Sequence, residues 1–229
     1  MLAKVFEIKE CETTMDLVRD YLDKGTKAPF IIRTDFQTKG RGQYGRSWIA
    51  PRGKSFLGTY VVEEKLVQAP EFVSFSSGIA LARALETFGC TAKIVWPNDL
   101  QVGSAKLGGV LVERYRGHFL IGLGINVNDP IKEDTLPDGR KRVSLLALRG
   151  EKTPIAFLLK PICEALEEEL LKSSEKIFEE LLSFAGYGDI VHFQGAEATM
   201  EKIFPDGTLE LLLKDGKRVK VHSSGEFQR

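Results

Sequence analysis

The sequence predicts an α+β domain followed by a small β-barrel, and three observations lead there. Strand-like runs at 4–8, 30–36, 55–62, 92–96, 100–102, 106–115 and 118–127 alternate with segments of three-and-four apolar spacing. Four consecutive pairs of those strands are joined by a loop or turn without an intervening helix. After Gly186-Tyr187-Gly188 the character changes to about forty residues of short strands separated by turn residues.

Taken in order, residues 4–8 alternate as a strand. Thr13 and Thr14 then precede an amphipathic segment, Met15, Leu17, Val18, Tyr21 and Leu22, that stops at Gly25, so a threonine there reads as an N-cap. Residues 30–36 lead into a Gly- and Arg-rich loop, and 55–62 lead out of it. From Pro70 to Phe88 the apolar residues fall at helical spacing, with small residues for close packing and Gly89 as the stop. Trp96-Pro97-Asn98-Asp99 reads as a turn, and Gly103-Ser104 and Arg116-Gly117 as hairpin turns. Residues 129–142 are polar, carry Pro130, Pro137 and Gly139, and are expected to form a surface loop. A long helical stretch begins at Thr153-Pro154 and runs through Leu171, kinked or divided at Pro161, with a further helix over 175–184. Strands are expected at 191–193, 198–204, 208–213 and 218–222, with Pro205-Asp206-Gly207 and Asp215-Gly216 as hairpin signals. This places a domain boundary between a larger unit, 1–185, and a smaller one, 186–229.

Composition bounds the function. The chain has 229 residues, 43% of them apolar, enough for a substantial core. Lysine plus arginine balances aspartate plus glutamate at 32 each, so no global charge recruits nucleic acid or an anionic membrane. The N-terminus lacks the apolar core of a signal peptide, and no run approaches the ~18 apolar residues of a membrane-spanning helix. These features lead to the expectation of a cytoplasmic protein. Three cysteines, Cys11, Cys90 and Cys163, are odd in number and widely spaced, without metal or disulfide patterning. No sequence feature supplies a base beside any of them.

Residues 37–48, Gln-Thr-Lys-Gly-Arg-Gly-Gln-Tyr-Gly-Arg-Ser-Trp, concentrate the chemistry. Gly40, Gly42 and Gly45 allow close backbone approach, and Arg41 and Arg46 offer forked donors suited to phosphate or carboxylate. Such a loop can wrap an anion, or it can be a solvated basic loop. Gly40-x-Gly42-x-x-Gly45 imitates half of a dinucleotide-binding fingerprint, but that motif opens directly into a helix. Here Pro51 and Gly53 follow, so the loop joins two strands and the dinucleotide reading fails.

Three further clusters stand out. Asn98 and Asp99 close a turn, or present oxygen to a cation or ribose. Lys106, beside Gly108-Gly109, is either exposed or directed at an anion against bare backbone. In Gly122-Leu-Gly124-Ile-Asn126, strand alternation puts the two glycines and the asparagine on one face, where a buried amide needs backbone or ligand partners.

Together these stretches resemble the biotin protein ligase family, in order and over essentially the whole chain. The loop at 37–48 is similar to that family's biotin and adenylate loop, and Trp96-Pro97-Asn98-Asp99 to its nucleotide-site turn. Lys106-Leu-Gly-Gly-Val-Leu-Val-Glu113 resembles the strand carrying its catalytic lysine. Gly122 to Asn126 resembles the strand under the biotin ring, and Ser224-Gly225-Glu226-Phe227 the end of its SH3-like barrel.

The resemblance implies a class II synthetase-like mixed sheet flanked by helices, with a C-terminal SH3-like barrel. It implies ATP-dependent formation of biotinyl-5′-AMP, then transfer to a lysine of a biotin carboxyl carrier protein. Lys106, Arg41 and Arg46 would be catalytic. Thr13, Thr14, Gln37, Gly40, Arg41, Gly42, Lys106, Gly109, Leu111, Gly122 and Gly124 would bind biotin. Arg46, Trp48, Asn98, Asp99, Lys106 and Asn126 would bind ATP, with Asp99 as the candidate ligand for Mg2+. The expected partners are biotin, ATP and the carrier domain, with neither DNA nor membrane, and a homodimer is open. The family's N-terminal winged helix-turn-helix is not expected here, because the catalytic pattern begins within the first dozen residues. A lipoate- or octanoate-protein ligase of the same fold, and a non-catalytic biotin-binding module, remain as alternatives. The pattern departs at Gln43, Met15 and Val95, where arginine, asparagine and lysine are common. Gln43 leaves one fewer charged donor on the adenylate, so weaker retention of the intermediate is expected.

Overall fold

The computed structural model describes residues 3–96, 98–131, 141–188, 190–193 and 196–221. Pro97, residues 132–140 of the polar loop, His222 and Ser224 to Phe227 lie outside the described residues. An eight-stranded mixed sheet, in the order β1-β2-β3-β7-β6-β5-β4 with β8 against β6, forms the body of the molecule.

Strand β1 (Lys4–Ile8) runs parallel to β2 (Phe30–Thr34), joined by α1 (Thr14–Asp23). Thr13 caps α1 by accepting the Met15 N–H, the capping role anticipated for this pair. Strand β3 (Ser55–Glu63) pairs antiparallel with β7 (His118–Asn126) over nine residues. Between β6 (Ala105–Tyr115) and β7 the chain turns at Arg116 and Gly117, both at positive φ (46° and 74°), the conformation a tight hairpin requires. Strands β4 (Lys93–Val95) and β5 (Asp99–Val102) complete that edge.

Alternation divides the sheet into two faces. On one, Phe56, Tyr60, Val110, Ile121, Leu123 and Ile125 pack in a core with residues of α2 (Val73–Glu86) and α4 (Leu159–Glu169). On the other, Met15 and Val18 of α1 pack with Phe30, Ile32, Val61 and Leu120. That second face is only partly covered, and the exposed remainder becomes the site.

The C-terminal SH3-like unit is a four-stranded antiparallel sheet, β9 (Ile190–Phe193), β10 (Ala196–Ile203), β11 (Leu209–Leu213) and β12 (Arg218–Val221), in sequential order. Its apolar face shares one core with the larger unit. Phe193, Met200, Ile203, Leu209 and Leu211 cluster with Phe72, Phe75 and Ile79 around α2, Ile94 of β4, and Ile177 and Leu181 of α5 (Ser174–Phe184). The Trp96 indole N–H donates to the Gly207 carbonyl at 2.9 Å, tying the central turn to the small sheet.

Three expectations are corrected. The helical stretch near 154 opens as a short 3-10 turn, Ile155–Leu158, and α4 starts at Leu159. Pro161 therefore sits in the first turn, where its missing N–H costs nothing, and does not divide the helix. Leu171 is 64% exposed and outside the core. A short helix, α3 (Leu145–Arg149), capped by the Ser144 hydroxyl on the Ala147 N–H, was not anticipated. Finally, the ends of the polar 129–142 segment are not surface loop. Asp129 is buried, and Lys141–Arg142 form β8, parallel to β6.

Candidate active site

The partly covered sheet face carries a cavity of about 720 Å³, within the ~300–1,000 Å³ typical of small-molecule sites. Its floor follows from strand register. Leu57, Gly124, Gly109 and Asp99 are successive cross-strand partners over β3, β7, β6 and β5, so they form one row on one face. Thr59, Gly122 and Leu111 form the next row. Glycines at the centre of both rows leave a flat trough where other residues would place side chains. The Gly122 and Gly124 positions are filled from above: a Cβ on Gly122 would stand 2.9 Å from the Met15 sulfur, and one on Gly124 2.6 Å from Cζ2 of Trp48.

One end of the trough is neutral and polar. Gln37 Oε1 accepts from the Thr14 backbone N–H (2.7 Å) and the Thr14 hydroxyl (3.1 Å), and the Thr59 hydroxyl donates to Thr14 Oγ1 at 2.8 Å. Thr13, Thr14 and Thr59 are all buried. Such a cluster presents fixed hydrogen-bonding groups without net charge.

The opposite end is charged. Lys106 Nζ donates to Asp99 Oδ1 at 2.7 Å, with the carboxylate side chain 1% exposed. Asn98 is anchored by its own amide, which donates to the Val110 carbonyl at 2.7 Å, and its Oδ1 is buried with no hydrogen-bond partner among the described residues. A buried, open acceptor on a residue that lines the cavity is a place for a ligand donor. Asn126 Nδ2 donates to the Val143 carbonyl at 3.1 Å and lies 3.4 Å from that of Lys106, so its amide is engaged by backbone while the residue still lines the cavity.

The Gly-Arg loop closes over the trough as a small hairpin. Trp48 N–H bonds to the Gly40 carbonyl (2.9 Å) and Gly42 N–H to the Arg46 carbonyl (2.7 Å), around a 3-10 turn at Gln43–Gly45. Gly40 is explained by this hairpin, because a Cβ there would stand 2.4 Å from the Trp48 carbonyl oxygen; it does not line the cavity. Arg41 is held bidentate by Asp16 of α1, at 2.7 and 3.1 Å. Arg46 lines the cavity and donates through Nε to the Gln43 carbonyl at 3.2 Å. Trp48 lies between the two ends, its ring 5.5 Å from the Lys106 ammonium.

The structure thus brings together every sequence-predicted site residue around one cavity except Gly40. Sequence reasoning missed Thr59, Asp16 and Arg142. Thr59 had a faint signal, a small hydroxyl at the middle of a largely apolar strand. Arg142 had none, standing at the end of what reads as a polar loop. Burial raises the Cys11 thiol and pushes that of Cys163 up to about 12, so both are held in the thiol form.

Among the described residues no group of three or more His, Cys, Asp or Glu could hold a metal ion. Asp99 offers one carboxylate already facing an ammonium. This donor set does not fit a resident Mg2+, which would take most of its ligands from phosphates and water.

Fold and site together define an α+β domain, a mixed sheet flanked by helices with a cavity of small-molecule size on one face. The model of the Biotin/lipoate A/B protein ligase family matches residues 8–128, and the chain belongs to that family. It is 28% identical over 167 residues to the bifunctional ligase/repressor BirA of Bacillus spizizenii, covering 69% of this chain and 49% of that protein. It is 30% identical over 135 residues to the biotin--[acetyl-CoA-carboxylase] ligase of Mycobacterium tuberculosis, covering 56% and 50%. The chain spans about half the length of the curated relatives it matches. By fold it is similar to the biotin protein ligase of Aquifex aeolicus in complex with biotin and ATP, with a TM-score of 0.78 at 23% identity, covering 98% of this chain and 97% of that one. No helix among the described residues is long and apolar enough to cross a membrane.

Proposed function

We propose that this protein activates biotin with ATP to biotinyl-5′-AMP and transfers the biotinyl group to a lysine of a biotin carboxyl carrier domain. The observation that carries the reading is the polarity of one trough: a neutral hydrogen-bonding end, a glycine floor, and a cationic end, spanned by an arginine loop. A flat, uncharged, ring-shaped head with a carboxylate tail suits that arrangement. Family membership and the activities named for the relatives support it.

In the first step the biotin carboxylate attacks the α-phosphate of ATP, which enters with its own magnesium, and pyrophosphate leaves. Thr14, Gln37 and the adjoining Thr13 would hold the ureido head; Gly109, Leu111, Gly122 and Gly124 leave room for the ring system. Two anions must meet, so cations placed beforehand lower the barrier most. Arg41 would exchange Asp16 for the biotin carboxylate, and Lys106 would sit between that carboxylate and the α-phosphate. Arg46 would face the remaining phosphates. The unpartnered Asn98 oxygen would accept from the nucleotide, with Asn126 beside it. In the second step the carrier lysine's ε-amine attacks the acyl carbon, and AMP leaves. Trp48 and the loop would exclude water from the anhydride meanwhile.

ATP–pyrophosphate exchange, run with biotin, with lipoate and with neither, tests the reading. Exchange that depends on biotin is the expected result. Exchange with lipoate alone overturns the substrate, and absence of exchange in a folded protein overturns the activity.

A further inference from the structure

We infer that Asp16 is a latch: it holds the Gly-Arg loop down over the empty trough, and a ligand must break its pair with Arg41 to enter. The inference rests on the proposed biotin site. Three observations carry it. The first is a shared hairpin. Arg41 and Ser47 are bridge partners, flanked by the bond from the Trp48 N–H to the Gly40 carbonyl and that from the Gly42 N–H to the Arg46 carbonyl. Arg41 and Trp48 therefore move as one piece. Asp16 grips that piece from α1, accepting from both terminal nitrogens of Arg41 at 2.7 and 3.1 Å.

The second observation is where the grip places the indole. Trp48 lines the cavity and lies so close to Gly124 that a Cβ there would stand 2.6 Å from the ring. Gly124 belongs to the floor proposed to carry the ligand's ring system, so ligand ring and indole exclude each other. In this position the indole N–H is buried with no hydrogen-bond partner among the described residues. A buried donor left unpaired opposes the position, and the Asp16–Arg41 pair offsets that cost.

The third observation is that the grip can be released. The Arg41 and Asp16 side chains are 37% and 48% exposed, the setting in which an ion pair is worth little. The Lys106–Asp99 pair, at 15% and 1%, is the buried one, and breaking it costs far more. Nor is Asp16 stranded when Arg41 leaves. Arg19, which also pairs with Glu113, lies 3.4 Å from Asp16 Oδ1. Asp16 also stands in the first turn of α1, where a negative charge is favoured by the helix itself. The latch thus biases the empty loop without locking it.

Biotinamide, the neutral carboxamide of biotin, reports the latch alone, because it brings no carboxylate for Arg41. The test is calorimetric titration of biotinamide into wild type, Asp16→Asn, Arg41→Gln and the double variant, with biotin titrated into wild type and Asp16→Asn. Biotinamide should bind each single variant about two- to fivefold tighter than wild type, the worth of a half-exposed ion pair. The double variant should bind it no tighter than either single one, since both substitutions open the same latch. Biotin should gain by the same factor in Asp16→Asn. The two single variants guard against misfolding, because each makes the same prediction for biotinamide. Biotinamide affinity that is unchanged or weakened in both single variants overturns the latch. A further gain from Asp16→Asn in the Arg41→Gln background also overturns it, since Asp16 would then act by a route other than Arg41. Wild type that binds neither biotin nor biotinamide overturns the proposed function itself, and the latch with it.

Discussion

The indole of Trp48 rests directly on the backbone of Gly124, so close that a Cβ on that glycine would stand 2.6 Å from Cζ2 and 2.7 Å from Cε2. The same ring carries a buried indole N–H with no hydrogen-bond partner among the described residues. Trp48 therefore lies in the trough against bare backbone, in a position a ligand would contest. Substituting Gly124→Ala should push the ring out, since the hairpin that carries Trp48 can move more easily than β7. Trp96 is buried and bonded to Gly207, so it gives a constant background. The expected outcome is a red-shifted emission with little change in the urea midpoint, together with weaker biotin binding. An unshifted spectrum would show that the ring does not rest there.

Thr14 joins both the cap end of α1 and the neutral end of the trough. Thr14→Val keeps its shape and removes the hydroxyl that links Gln37 to Thr59. Each net hydrogen bond is worth about 1 kcal/mol and two are lost, so stability should fall by about 2 kcal/mol and biotin affinity about fivefold. Calorimetry on biotin and a denaturant melt read both. Unchanged biotin affinity would remove Thr14 from the ligand's partners.

Much of this arrangement was legible because it depends on local rules. Gly117, Gly207 and Gly216, all at positive φ, mark their turns in the sequence as clearly as in the fold. The alternation of β7 put Gly122, Gly124 and Asn126 on one face before any register was known. What escaped was non-local or short. The five residues of α3 are too few to show helical periodicity, leaving only the Ser144 cap as a sign. Pro161 was misread because the same residue that breaks a helix interior is welcome in a first turn. Arg142 gains its place through pairing with a strand more than thirty residues away, which composition cannot reveal. The core shared between α2, α5 and the small sheet is likewise a property of packing, since each element alone presents an ordinary apolar face.

Behind the site, Glu169 is fully buried between two cations, 3.0 Å from Arg83 Nε and 2.8 Å from Lys172 Nζ, with Glu180 completing the group. Glu169→Ala leaves both cations sharing Glu180 beside a void and should cost about 3 kcal/mol, the lower end of the range for a broken buried pair. Glu169→Gln keeps the volume and should cost less. Burial holds the Glu169 carboxyl above its ordinary value of 4.5, against the pull of Lys172 and Arg83. A raised folded-state value favours folding below the unfolded pKa, and that contribution disappears as pH rises through the folded one. Stability of wild type relative to Glu169→Gln should therefore decline as pH rises above 4.5. Urea melts of both proteins across that range give the slope, and a rising difference would reverse the assignment.

Lys106 and Asp99 pose the question of how far one ion pair serves both fold and chemistry. Lys106→Met removes the ammonium 2.7 Å from a carboxylate that is 1% exposed. Loss of exchange activity alone would then be ambiguous, because breaking a buried pair costs about 3 kcal/mol of stability by itself. Adding Asp99→Asn removes the lone charge, so the double variant should regain most of that stability. If Lys106 stabilises the charge that develops between biotin and the α-phosphate, the double variant should stay at least about a hundredfold slower than wild type in biotin-dependent exchange. Denaturant melts and exchange assays on the four proteins of the cycle separate the two roles. Recovered stability with lost exchange makes the ammonium chemical as well as structural. Recovery of both would leave Lys106 as nothing more than the counter-ion of Asp99.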